Sequence, residues 1–174
     1  VRRIGRDFGR QAAAGVIGLG VAGCGAIARD RDKGHIEVTW SGAEKGTMSA
    51  PAGADWCPAA RTVQLTAVQG DTGLGILIYP PESLVVGKYP VVEPADARTK
   101  SPTASVGFRL MNQTAVSGYQ GQTGVLIIER VQAAQISGHF DATGRTATAA
   151  VGNIHLTGRF VNVPLTSGRS ACGR

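Results

Sequence analysis

Aromatic residues are scarce in this chain, with two Trp, three Tyr and four Phe among 174 residues, and only 17% of positions are charged. So little charge, beside 43% hydrophobic residues, excludes a disordered or coiled-coil chain and leaves one globular domain as the expectation. Acidic residues are the rarer sign, 12 against 18 basic, for a net charge of +6. Arg2, Arg3, Arg6 and Arg10, opposed by Asp7 alone, put half of that excess in the first ten residues. The remainder is too thin to form the dense basic face that phosphate binding requires, which argues against a nucleic-acid partner. Long apolar runs are also missing. Residues 12–23 form an uncharged stretch of 12, about 18 Å as a helix, and a bilayer core requires roughly 20 residues. Cysteine is limited to Cys24, Cys57 and Cys172, with no CxxC and hence no metal-ligand spacing.

What is present at the N-terminus is an address. A basic head, an apolar run and small residues before Cys24 are the three parts of a signal peptide over residues 1–23. Val21-Ala22-Gly23-Cys24 resembles the lipobox of bacterial lipoproteins of the signal peptidase II type. That resemblance implies cleavage after Gly23, diacylglycerol on Cys24 and attachment to a membrane through acyl chains, each buried CH₂ contributing about 0.8 kcal/mol. In a Gram-negative host, the absence of Asp after the cysteine implies onward transport to the outer membrane. Residues 24–34 read as the lipidated cysteine and a flexible spacer, and residues 35–174 as one domain that resembles no family.

A second motif overlaps the leader. Residues 18–23 match GxGxxG, with Glu37 downstream where a dinucleotide-binding fold places its ribose acid. No strand precedes these glycines and no amphipathic helix follows, so neither a nucleotide nor any other cofactor is expected.

From His35 onward apolar residues recur at every second position: Ile36, Val38, Trp40; Val63, Leu65, Ala67; Val106, Phe108, Leu110; Ile136, Phe140; Ile154, Leu156, Phe160. This period is that of half-buried strands. Two denser runs, 74–79 and 125–128, suggest central strands buried on both faces. Gly and Pro at 70–73, 80–81, 121–124 and 144 read as turns. The expectation is an all-β domain of eight to ten short strands, an antiparallel β-sandwich with a small β-barrel as the alternative. Val116-Ser117-Gly118, Ile136-Ser137-Gly138 and Leu156-Thr157-Gly158 repeat at intervals of 20, the last two continuing to Phe140 and Phe160. The favoured explanation is that glycine admits a neighbouring backbone or ring on crowded strands.

Chemistry-bearing residues are few. Cys57 and Cys172 are expected to pair in an oxidising compartment. His139 and Asp141 share a strand face and His155 falls on a neighbouring strand, a candidate two-His-one-carboxylate metal set, although a solvated sheet face is the favoured reading. Glu37 and Glu129 are the other acids on predicted strands, and no nucleophile elbow accompanies them. Tyr79, Tyr89 and Tyr119, together with the loops at 80–88 and 93–105, are the candidate binding surface. These features favour a lipid-anchored cell-envelope protein with a non-catalytic binding, scaffolding or accessory role toward another envelope component. The alternatives are a barrel carrying an apolar small molecule and, third, an envelope hydrolase or metal-dependent enzyme.

Overall fold

The computed structural model describes residues 34–111, 115–132, 134–147 and 152–167. Nine strands carry most of the described residues: β1 (His35–Gly42), β2 (Gly46–Cys57), β3 (Thr62–Gln69), β4 (Thr72–Tyr79), β5 (Gly87–Pro90), β6 (Thr103–Met111), β7 (Val116–Gln132), β8 (Gln135–Thr146) and β9 (Asn153–Ser167). One short helix, α1 (Pro94–Ala97), lies between β5 and β6. The domain is all-β, and its architecture is the barrel rather than the sandwich. Eight strands run β1-β2-β3-β4-β6-β7-β8-β9 with every neighbour antiparallel, and the β1–β9 pairing closes the ring. The extra strand β5 pairs with the lower half of β7, from Gly87 opposite Ile128 to Pro90 opposite Val125. Closure leaves no bare edge in the ring, which a sandwich of the same strands would have to protect.

The alternation read in the sequence selects the inward face. Ile36, Val38 and Trp40, then Val63, Leu65 and Ala67, then Ile154, Leu156 and Phe160, are all buried in one core. The two dense runs keep the same alternation. Leu74, Ile76 and Ile78 point inward while Leu77 is half-exposed, and Leu126 and Ile128 point inward between half-exposed Val125 and Ile127. A barrel has one interior, so even its most apolar strands bury one face.

The aromatic–glycine echo has its explanation inside. Gly138 pairs with Phe160 and Gly158 with Phe140 across β8 and β9, and a Cβ on either glycine would overlap the facing ring. Gly46 accommodates the Trp40 indole in the same way. Gly118, the third member of the echo, faces outward and has no such role.

Each barrel end has its own cast. The hairpins β1–β2, β3–β4 and β8–β9 lie at one end, here the hairpin end. The β2–β3 turn, the loop 80–86, the start of β1 and the end of β9 lie at the other, the terminal end. There β1 has run out, and β2 pairs directly and in parallel with β9, Ala54 to Trp56 beside Leu165 to Ser167. Cys24 and Cys172 lie outside the described residues, as do the leader and most of the spacer.

Candidate functional site

The outer wall of the barrel is built by the residues that alternate with the core, and two stretches of it form depressions. The first crosses β3, β4, β6 and β7. Strand register aligns Thr66, Gly75, Gly107 and Gln120 in one row, and Val68, Gly73, Arg109 and Gly118 in the next. Four outward glycines in two adjacent rows remove the side chains that would stand there. They leave a shallow furrow of about 410 Å³ in which Leu74, Phe108 and Tyr119 show through from the core. A neighbouring hollow of about 270 Å³ shares Gly75, Gly107 and Gln120 and continues the furrow to Leu77 and Pro94. Its hairpin-end rim is apolar: Val68 is 61% exposed, Val116 56% and Met111 43%.

These glycines differ from those of the interior. A Cβ on Gly75 would meet nothing within 4 Å, and on Gly73, Gly107 or Gly118 only atoms at ordinary contact distance, 3.7–3.9 Å. None of the four has a positive φ. Neither packing nor backbone conformation requires glycine here, and glycine weakens a strand.

The second depression crosses β1, β9 and β8, also about 410 Å³, and is lined by Glu37, Thr39, His139, Asp141, Thr157 and Arg159. Register places Glu37, Arg159 and His139 in one row, and Thr39, Thr157 and Asp141 in the next. Of the histidines and acids that the sequence singles out, four form two pairs here, with Glu129 reaching in from β7, and Glu37 stands outside both. His139 Nδ1 lies 2.9 Å from Glu129 Oε1, and His155 Nε2 lies 3.0 Å from Asp141 Oδ1. A carboxylate offers only lone pairs, so in each case the ring N–H donates. All four side chains are 43–59% exposed, so water competes for both hydrogen bonds. His139, Asp141 and His155 do not form a three-ligand cluster, and no group of three or more His, Cys, Asp or Glu suited to a metal ion occurs among the described residues.

The three tyrosines divide. Tyr79 is half-buried at the end of β4. Tyr89 and Tyr119 are buried, 2% and 4% exposed, and belong to the core, although Tyr119 reaches the floor of the glycine furrow. Each faces inward on its strand, and each hydroxyl is occupied. Tyr89 Oη accepts from the Val85 N–H at 3.2 Å and donates to the Val85 carbonyl at 3.0 Å. Tyr119 Oη donates to Glu44 Oε1 at 3.1 Å. Burial of the ring, followed by the hydrogen bond and charge of Glu44, raises the Tyr119 phenol above its ordinary value of 10.0. Trp40 packs on Phe108 with ring centroids 4.9 Å apart, and its indole N–H has no partner among the described residues.

The glycine furrow was not among the sequence candidates. The signal for it is Gly73 and Gly75 spaced two apart in an otherwise apolar strand, matched by Gly107 in β6 and Gly118 in β7. No family model, curated protein sequence or solved structure matches this chain.

Proposed function

We propose that this is a lipid-anchored envelope protein that binds another envelope protein through the glycine-floored furrow and performs no chemistry itself. The observation that carries the binding reading is the set of four outward glycines that nothing inside the barrel requires, beside an exposed Val68–Met111–Val116 rim. An apolar floor at backbone level lets a partner's backbone or flat side chain come closer than any side-chain-bearing wall would. The anchoring reading rests on Val21-Ala22-Gly23-Cys24. The chain enters the barrel at Gly34, at the terminal end, which leaves the valine rim at the far end turned away from the membrane.

Two observations weigh against the alternatives. The barrel interior is filled by large side chains, with Phe140, Phe160, Leu65, Ile76 and Leu126 among those buried most completely, where an apolar cargo would have to sit. The His–carboxylate pairs stand on an open wall, and acid–base chemistry gains most in a site that excludes water.

A photo-crosslinking residue at Val116, on the exposed rim of the furrow, tests the binding reading in intact cells. A discrete adduct is expected, lost when Gly107→Leu fills the furrow, while the same residue at Thr39 gives none. Equal labelling from both walls would overturn the assignment. Fatty-acid labelling tests the anchor: label on the wild type that is absent from Cys24→Ser supports it, and label that persists on the variant removes it.

A disulfide between Cys57 and Cys172 belongs to the same proposal. Cys57 is buried at the end of β2, beside the parallel β2–β9 pairing, and Cys172 follows Ser167 by five residues, about 17 Å at full extension. A mobility shift on reduction that Cys57→Ala abolishes is expected in electrophoresis, and identical mobility with and without reductant would exclude the bond.

A further inference from the structure

The loop 80–86 presents two valines to solvent at the terminal end, Val85 52% and Val86 60% exposed, although the core lies directly behind them. Leu84, the preceding residue, packs against that core, so the loop is not simply detached from it. Its tip is also clamped. The buried Tyr89 hydroxyl takes up both the N–H and the carbonyl of Val85, leaving the side chain outside while the backbone polar groups are satisfied from within. At Val85 an exposed apolar side chain thus stands on a satisfied backbone, which lowers the cost of entering the headgroup–acyl boundary of a bilayer, where unpaired N–H and C=O groups are the main obstacle.

The position of the loop agrees with its chemistry. Gly34 and loop 80–86 lie at the same barrel end. Ten residue steps separate Cys24 from Gly34, so a lipid on Cys24 holds that end within about 35 Å of the bilayer. The sequence flanking the barrel adds Arg29, Arg31 and Lys33 before it and Arg169 and Arg174 after it, against Asp30 and Asp32, an excess that suits anionic headgroups. Glu82 and Lys88, both exposed, bracket the tip and confine its entry to the interface.

We infer that Val85 and Val86 dip into the membrane interface beside the acyl anchor and seat the barrel end-on, with the occupant of this patch being the lipid surface itself. The inference rests on the lipid-anchored reading. Two valines give weak partitioning alone, but a tether converts their insertion into an intramolecular event at millimolar effective concentration.

The test uses the full-length, acylated protein in vesicles of phosphatidylethanolamine and phosphatidylglycerol that carry brominated acyl chains. Tryptophan fluorescence of Val86→Trp is compared with Val68→Trp at the opposite end and with wild type. Quenching of Val86→Trp that exceeds Val68→Trp by about twofold or more is expected for an interfacial residue. Quenching of neither, of both equally, or of Val68→Trp alone overturns the inference. A second measurement separates this result from the anchor. Val85→Asp in the acylated Val86→Trp protein should lower its quenching to the level of Val68→Trp while fatty-acid label on Cys24 is unchanged, and undiminished quenching overturns the inference. Absence of fatty-acid label on Cys24 would remove the anchored reading whatever the loop does, and labelled protein without preferential quenching would remove the loop while leaving the anchor.

Discussion

Both outer walls of the barrel carry an open depression of about 410 Å³, yet they are made of opposite materials. The wall of β3, β4, β6 and β7 is opened by missing side chains, and its floor is backbone with apolar residues showing through. The wall of β1, β9 and β8 is opened between long polar side chains, of which His139 is paired with Glu129 and Asp141 with His155. A newcomer to the second wall meets exposed polar groups that water solvates, and at His139 or Asp141 it must also displace an existing hydrogen bond. The first wall offers backbone and apolar atoms, with the Arg109 side chain lying over Gly73. The same contrast separates two classes of glycine: those at 46, 138 and 158 make room for rings inside, whereas a Cβ at 73, 75, 107 or 118 would meet at most an ordinary contact, the Arg109 side chain in the case of Gly73.

The largest effect that sharpens this comparison comes from the interior. Gly158→Val places branched atoms in the Phe140 ring, and Gly138→Val places them against the Ile127 carbonyl and the Phe160 ring. Either change should cost about 3 kcal/mol or more, since neither backbone nor a packed aromatic can yield far. Urea denaturation measures it, and Phe140→Leu should restore part of the loss in Gly158→Ala through a coupling term. A loss below about 0.5 kcal/mol for both valine variants would erase the distinction between the two glycine classes.

Next in size is Tyr119, which backs the furrow from inside. Tyr119→Phe should cost about 1 kcal/mol through the lost hydrogen bond to the Glu44 carboxylate. Its pH dependence has a definite sign. With the folded value raised above 10.0, the native state keeps the phenolic proton to higher pH than the unfolded chain does. The stability this supplies is complete below about pH 10 and is lost as pH rises through the folded value. Wild type should therefore weaken on alkaline titration more steeply than Tyr119→Phe, and parallel curves would refute the assignment.

Much of this fold was legible because a closed barrel obeys one rule, alternate residues inward, and the Ile36, Val63, Val106 and Ile154 strands follow it with large side chains. β2 was not legible. Its inward residues are Met48, Ala50, Ala52 and Ala54, small groups that fit a crowded interior but carry little strand signal, and Pro51 interrupts it. Pro51 is accommodated where β2 changes partners, from β1 through residue 51 to β3 from residue 52. Glycine misled in the other direction. The stretch 121–124 and Gly144 read as turns, but they sit within β7 and β8, where the pairing shifts between Gly121 and Thr123 and where Gly124 takes a φ of 135°. A bulge and a turn need the same residue, and only the partner strand tells them apart. The furrow was invisible for a related reason: whether a glycine faces out depends on register, which the sequence alone does not supply.

Smaller in free energy, but more decisive for function, are Gly75→Ala and Gly107→Ala. Each removes the backbone entropy cost of glycine from a strand at a position with room for the methyl group, so each should gain about 0.5–1 kcal/mol. Stability and the proposed crosslink at the furrow should then move in opposite directions, which defects of folding cannot produce. Loss of stability in both variants would show that these glycines answer to the fold after all.

The smallest effect belongs to the charged wall. His155 and Asp141 are joined at 3.0 Å but are roughly half-exposed, so the pair loses to solvent most of what its geometry offers. Asp141→Asn keeps the side chain's shape and an acceptor oxygen for the imidazole N–H while removing the charge. The change should cost no more than about 0.5 kcal/mol and should vanish in high salt, because only the screened Coulomb part is lost. Parallel denaturation of wild type and variant at low and high ionic strength reads it. A loss of about 2 kcal/mol that survives salt would mean that this wall is stiffer and drier than its exposure indicates. The contrast between the polar wall and the glycine-floored wall would then have to be redrawn around the histidines.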